Sequence, residues 1–306
     1  MFKKILFATS ATPACDHAAR VAFELAKRHG AELTVFHVLG IPTRAFSQVV
    51  KDVRTGEEVT LDDNYLDSVK DEIYNFYLRQ FEANPEVKIR VTTGLPHREI
   101  LRQARDTSAD LVIMGASARE DSPYYRYGIP GSTLQRVAKA ARCPVLTVSR
   151  PAASYWGGIS NIVFATDFST PASHAFQFAA SVAKDLDCKL NLFHALDISN
   201  IAAGKTMSQD EIEDALMDAR RRMHSEYTSQ LKEFRNWSVE AWEGVPYVEI
   251  VKFARERQAD LIVMAHHNHD SDPEQARIGS TMEHVIVRAT APVVSVNRPD
   301  KVQSLS

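Results

Sequence analysis

Three stretches of this 306-residue chain carry residue types and spacings able to do chemistry. The first is GIPGST (128–133), a glycine-rich turn that runs into the helix-like LQRVAKAA, with GST repeated at Gly279, Ser280 and Thr281. A helix start presents free N–H groups and a partial positive charge. Gly131, Ser132 and Thr133 could therefore cradle a phosphate without a lysine; equally, the hydroxyl caps the helix and the glycine permits the turn. The second stretch is His266, His267, Asn268, His269 and Asp270, with Asp272 and His284 nearby in sequence. Imidazoles and carboxylates suit zinc, and His267 and His269 share a face of extended backbone. The bland alternative is a solvated polar loop, since no H-E-x-x-H or C-x-x-C pair fixes the geometry. The third pair is Ser10 and Asp167, each of which ends a short apolar run containing FAT.

Larger catalytic signatures are missing. The sequence contains no G-x-S-x-G elbow, no lysine phosphate loop and no G-x-G-x-x-G, so no residue is assigned as catalytic. A formal net charge of -3 gives no global attraction to nucleic acid or an anionic membrane. The opening MFKKILFATSATPA has too short an apolar run for a signal peptide, and no later run reaches a membrane span. The expectation is a cytoplasmic protein. Cys15, Cys143 and Cys188 are odd in number and far apart, which favours buried free thiols over disulfides or a zinc ribbon.

The elements that must position these residues are written twice. Phe7 and Phe164 share their FAT context at an offset of 157, as do LTVFHVL at Leu33 and LNLFHAL at Leu190. GLPHREI answers GVPYVEI and ADLVIMG answers ADLIVMA at 150, and the two GST turns lie 148 apart. Matching order with drifting offsets means one duplicated domain. Within each copy, apolar runs alternate with amphipathic stretches, the pattern of a parallel sheet crossed over by helices. The first copy predicts strands at 4–9, 32–39, 88–92, 111–115 and 145–149, and helices at 16–29, 63–82, 97–106 and 132–141. In the second, Ser208 and Glu211 predict a capping-box start for a helix running towards Phe234. Domains at 1–150 and 158–306 are separated by an aperiodic linker at 151–157.

Ligands of such sheets sit beyond the carboxyl ends of the strands, where strand order reverses. That rule selects Ser10, residues 37–40 with Val38, residues 115–118 with Gly115 and Ala118, and Gly131 to Thr133. His37 and His194 recur at equivalent strand ends, where contact with a ligand and simple packing explain them equally.

On these residues the chain resembles a tandem universal stress protein, whose single-domain relatives carry A-T-D-F-S or V-D-G-S after an early strand and G-x-x-G before a G-[ST] pair. The resemblance implies an α/β fold of two Rossmann-like domains of the adenine nucleotide alpha hydrolase-like type, each a five-stranded parallel sheet flanked by helices. It also implies, in ATP-binding members, an early Asp facing adenine and a glycine motif around ribose and phosphates; other members bind no nucleotide. Copy two keeps the acid as Asp167, whereas copy one has Ser10. Copy one keeps Gly115, Gly131 and Ser132 but has Ala118 at the second glycine and a longer spacer at 119–130; copy two has Ala265 and Asn268 in place of both early glycines, then Gly279 and Ser280. If that second glycine needs a positive φ, alanine costs about 1–2 kcal/mol. The implied function is that of an adenine-nucleotide-binding regulator with an unknown protein partner, or else an interaction protein without nucleotide, or a weak ATPase or metal-binding protein drawing on Asp167, Ser132 or a metal at the His266–His269 loop. The last strands, 145–149 and 293–297, are expected to pair within the chain, since an open edge invites aggregation. Nothing in the sequence decides whether whole chains pair further.

Overall fold

The computed structural model describes residues 2–40, 49–51, 58–60, 63–116, 132–149, 158–198, 207–266 and 280–296. The first half runs β1 (Lys4–Thr9), α1 (Asp16–His29), β2 (Glu32–Gly40), β3 (Val49–Lys51), β4 (Glu58–Thr60), α2 (Asp63–Phe76), α3 (Leu78–Ala83), β5 (Lys88–Gly94), α4 (Pro96–Asp106), β6 (Leu111–Gly115), α5 (Ser132–Ala140) and β7 (Val145–Val148). The second half follows with β8 (Asn161–Ala165), α6 (Thr170–Leu186), β9 (Lys189–Leu196), α7 (Gln209–Glu226), β10 (Trp237–Glu243), α8 (Pro246–Glu256), β11 (Leu261–Ala265), α9 (Ser280–Arg288) and β12 (Val293–Val296).

Strands such as KILFAT and LVIMG read as nearly unbroken apolar runs because helices cover both faces of the sheet. One core cluster lies under α1, α2, α6 and α7 and the other under α4, α5, α8 and α9, and each draws residues from both halves. On the first face Phe2 reaches across to Phe178, with ring centroids 6.4 Å apart.

The main sheet has 10 strands in the order β10-β9-β8-β11-β12-β7-β6-β1-β2-β5. Each half starts mid-sheet, steps outward through two parallel strands, then returns to the other side of its first strand for the last two. The halves join where β7 and β12 pair antiparallel, Val293 opposite Thr147, Val294 opposite Leu146 and Ser295 opposite Val145. These are the two last strands that were expected to pair.

Two expectations need correction, and one pair of strands was not foreseen. The helix expected over 63–82 breaks at Tyr77, whose φ of -108° and ψ of 28° leave the helical region and begin α3 afresh. The helix expected to run towards Phe234 does start in the Ser208–Glu211 capping box, but it ends at Glu226 and passes into a 3-10 turn, Thr228–Leu231. The cause is common to both: a buried tyrosine at each break turns inward to a strand end. The antiparallel pair β3 and β4 was not anticipated, because three-residue strands leave no alternation to read. Cys15, Cys143 and Cys188 are buried free thiols. Among the described residues no helix is long and apolar enough to cross a membrane.

Candidate functional site

The strand order reverses beside β1 and β6 in the first half and beside β8 and β11 in the second. In each half a threonine at the end of the first strand organises the turn, Thr9 as the last residue of β1 and Thr166 just after β8. The Thr9 Oγ1 accepts the backbone N–H of Ala11 at 2.9 Å and shares a hydrogen bond with the Tyr77 hydroxyl at 2.7 Å. Thr166 repeats both contacts, with Phe168 at 2.9 Å and Tyr227 at 2.8 Å. This bonding holds Ala11 at φ 51° and Phe168 at φ 61°, a left-handed conformation that costs a non-glycine residue about 1–2 kcal/mol. Both tyrosines are buried, and burial pushes each phenol up from its ordinary range, so the hydroxyls stay protonated.

A histidine ties the neighbouring strand to the same turn. His37 donates its Nδ1–H to the Thr9 carbonyl, and His194 to the Thr166 carbonyl, each at 2.8 Å. Burial holds both imidazoles below their ordinary value of 6.5; the carbonyl contact opposes this, and at His194 Asp167 also raises while Arg222 lowers. With the proton on Nδ1, the neutral ring leaves Nε2 as an acceptor. The packing alternative left open for these histidines thus has a concrete basis: they brace the turn.

Above this shared base the halves part. Ser10 is exposed, its Oγ 2.9 Å from Thr12 Oγ1 and 3.3 Å from the Sγ of Cys15. Asp167 is also exposed, and its Oδ1 accepts the Ser169 N–H at 3.0 Å. Phe168 lies 4.6 Å from the His194 ring and stacks at 5° and 6.3 Å on Tyr227. The Arg222 guanidinium sits 4.3 Å over the Phe168 ring, donates to its carbonyl at 3.4 Å, and is ion-paired with Glu226. On the opposite face of the sheet Val38 is half-buried against the other core cluster.

At the end of β6 the backbone passes close to the turn before α1: a Cβ on Gly115 would stand 3.1 Å from the Ala14 carbonyl oxygen and 3.4 Å from Cys15 Sγ, a tight fit that favours glycine. Its counterpart closing β11 is Ala265, followed by His266, which is buried and donates its backbone N–H to the Val296 carbonyl at 3.2 Å. Ser132 is exposed and Thr133 half-buried in the first turn of α5; α9 likewise opens with Ser280 and a half-buried Thr281. Ala118, Gly131, Gly279, His267 and His269 lie outside the described residues, as do the spacers 119–130 and 270–278.

The zinc expectation finds no support: among the described residues no group of three or more His, Cys, Asp or Glu is placed to hold a metal. His266 is in the core, and His284 stacks on Tyr247 at 4.4 Å with Arg288 2.9 Å from its Nδ1. The sequence reading missed Thr9, Tyr77, Thr166, Tyr227 and Arg222. A signal existed for four of them, because Thr9 and Thr166 obey the 157 offset and Tyr77 and Tyr227 the 150 offset.

Parallel strands whose order reverses beside the first strand, with polar residues gathered at that carboxyl edge, define a doubly wound α/β protein of the kind that takes ligands at its switch points. The model of the universal stress protein family matches this chain twice, over residues 1–149 and 158–297. The chain belongs to the universal stress protein family and carries two such domains in tandem. A universal stress protein of Methanocaldococcus jannaschii is 31% identical over 144 residues, which cover 46% of this chain and 83% of that one. Among solved structures, a universal stress protein from Archaeoglobus fulgidus DSM 4304 covers 96% of this chain and 98% of its own at a TM-score of 0.66 and 19% identity, a likeness of fold. A universal stress protein solved in complex with cAMP covers 45% of this chain and 97% of its own, with 19% identity and a TM-score of 0.36.

Proposed function

We propose that this chain is a cytoplasmic regulatory protein of the stress response that binds an adenine nucleotide at the carboxyl edge of at least one half. We divide it at 1–150 and 158–306, with 151–157 as the linker. One observation carries the reading. Both halves set an exposed polar side chain, Ser10 or Asp167, on a left-handed turn beside the strand-order reversal. Family membership supports the same conclusion. In the first half, Gly115 and the Ser132 turn of α5 would receive phosphates through amide hydrogens. In the second, Asp167 would receive the base. Binding of nucleotide would change a surface read by a partner protein.

A second reading, an interaction protein without nucleotide, rests on Ala265 and the buried His266 standing where the first half has Gly115 and Ala116. Calorimetric titration of the whole chain with ATP, ADP, AMP and cyclic AMP separates the two. The nucleotide reading expects at least one ligand to bind with a dissociation constant of about 100 μM or tighter. It expects that binding to weaken in Ser132→Ala for the first half or Asp167→Ala for the second. Absence of binding by all four ligands would leave the second reading standing.

A further inference from the structure

The turn that carries Asp167 is held at more points than its counterpart in the first half. Thr166 is fixed on one side of the acid, its carbonyl by His194 and its hydroxyl by Tyr227. Phe168 is fixed on the other: its N–H by Thr166 Oγ1, its ring against His194 and Tyr227, and its ring and carbonyl by Arg222. Arg222 is itself anchored one turn along α7 by Glu226. The first half has the threonine, the tyrosine and the histidine, but Ala11 stands where Phe168 does, and Glu72 and Phe76 take the places of Arg222 and Glu226. It also has Ser10 in place of the acid. The half with the acid is the half with the arginine brace.

We infer that Arg222 is a positioning residue that sets base selectivity in the second half by fixing the turn on which Asp167 stands. This rests on the reading that the second half receives the base of a nucleotide. A carboxylate at pH 7 accepts hydrogen bonds and does not donate. Held in one place, it favours a base that offers an N–H, such as the exocyclic amine of adenine, and disfavours one that presents a carbonyl oxygen there. A turn free to swing would let the carboxylate move away from that oxygen, and the preference would fade. Arg222 acts on the turn through the ring and carbonyl of Phe168.

The test compares ATP with inosine triphosphate, which carries a carbonyl oxygen in place of the adenine amine. Binding of each to the whole chain is measured by calorimetry for wild type, Arg222→Ala, Arg222→Lys and Glu72→Ala. The expected result is that the ATP preference falls about tenfold in Arg222→Ala, is partly restored by lysine, and is unchanged in Glu72→Ala. Amide exchange at Phe168, followed by NMR, should quicken about tenfold in Arg222→Ala while exchange at Ala11 stays as it was. If wild type prefers ATP and Arg222→Ala keeps that preference in full, the inference fails and the nucleotide reading survives. If wild type binds neither triphosphate, the selectivity role fails, the nucleotide reading then rests on the titrations with ADP, AMP and cyclic AMP, and exchange at Phe168 reports the brace alone. Unchanged exchange at Phe168 removes the brace.

Discussion

Ala11 and Phe168 occupy the same turn of the same repeat at nearly the same φ, 51° and 61°, but they are kept there by different means. The alanine relies on the Thr9–Tyr77 pair and the His37 contact. The phenylalanine has the equivalent contacts and, in addition, a ring stack and an arginine. Duplication thus kept the parts that shape the backbone, whereas the residues at the exposed tip of the turn diverged. A cation over an aromatic ring contributes about 0.5–1 kcal/mol at an exposed site, comparable to part of the cost of the left-handed turn. The brace adjusts a conformation that the buried hydroxyls already select.

The comparison can be strained hardest in the core. Phe164→Ala and Phe7→Ala should each destabilise the protein by about 3–5 kcal/mol. The second-half variant should lose more, because Phe164 contacts both Phe176 and Tyr227, whereas Phe7 contacts Tyr77 and Ala19 stands at the place of Phe176. Urea unfolding measures both, and equal losses would show that the extra ring adds nothing. A smaller effect sharpens the likeness of the halves. Tyr77→Phe and Tyr227→Phe each leave a buried threonine hydroxyl without its phenol and should cost about 1–2 kcal/mol apiece; two values far apart would mean that the pairs are not equivalent.

The smallest effect is one of pH. His37 and His194 are held below 6.5 in the folded protein chiefly by burial, so the folded state binds fewer protons than the unfolded chain. Their contribution to stability is present above the ordinary value of 6.5 and is lost as pH falls below it towards the folded-state values. In His37→Asn and His194→Asn, which keep a donor for the strand-end carbonyl, the decline of stability on acidification should be shallower than in wild type. Unfolding midpoints between pH 7.5 and about pH 5 would reveal it; an unaltered decline would show that these rings do not titrate with folding.

Much of the architecture was legible because apolar runs, offsets and caps are local. The strands at 4–9 and 111–115 and the helix at 16–29 fall where the periodicity sets them, and Ser208 and Glu211 form the expected capping box. Tyr77 and Tyr227 defeated the helix ends, because nothing in a helical pattern says that one tyrosine will leave it to reach a threonine 68 or 61 residues earlier in the chain. The site was legible only as strand ends. Ser10, Asp167, Gly115 and Ser132 could be chosen by topology, but Arg222 lies on a different element from every motif, and its role depends on a contact made through Phe168. His266 resembled a ligand in composition and lies in the core, since sequence alone does not say which way a strand-end side chain turns.

The antiparallel join of β7 and β12 has a geometric result. Every other neighbouring pair in the sheet is parallel, so the carboxyl rims of the two halves point in opposite directions along the strands. A small molecule seated on one rim has no line of contact to the other. Any conversation between the two seats has to cross the protein, through the ten strands or the cores packed on their two faces, and a partner that touched both would have to wrap around the protein from end to end.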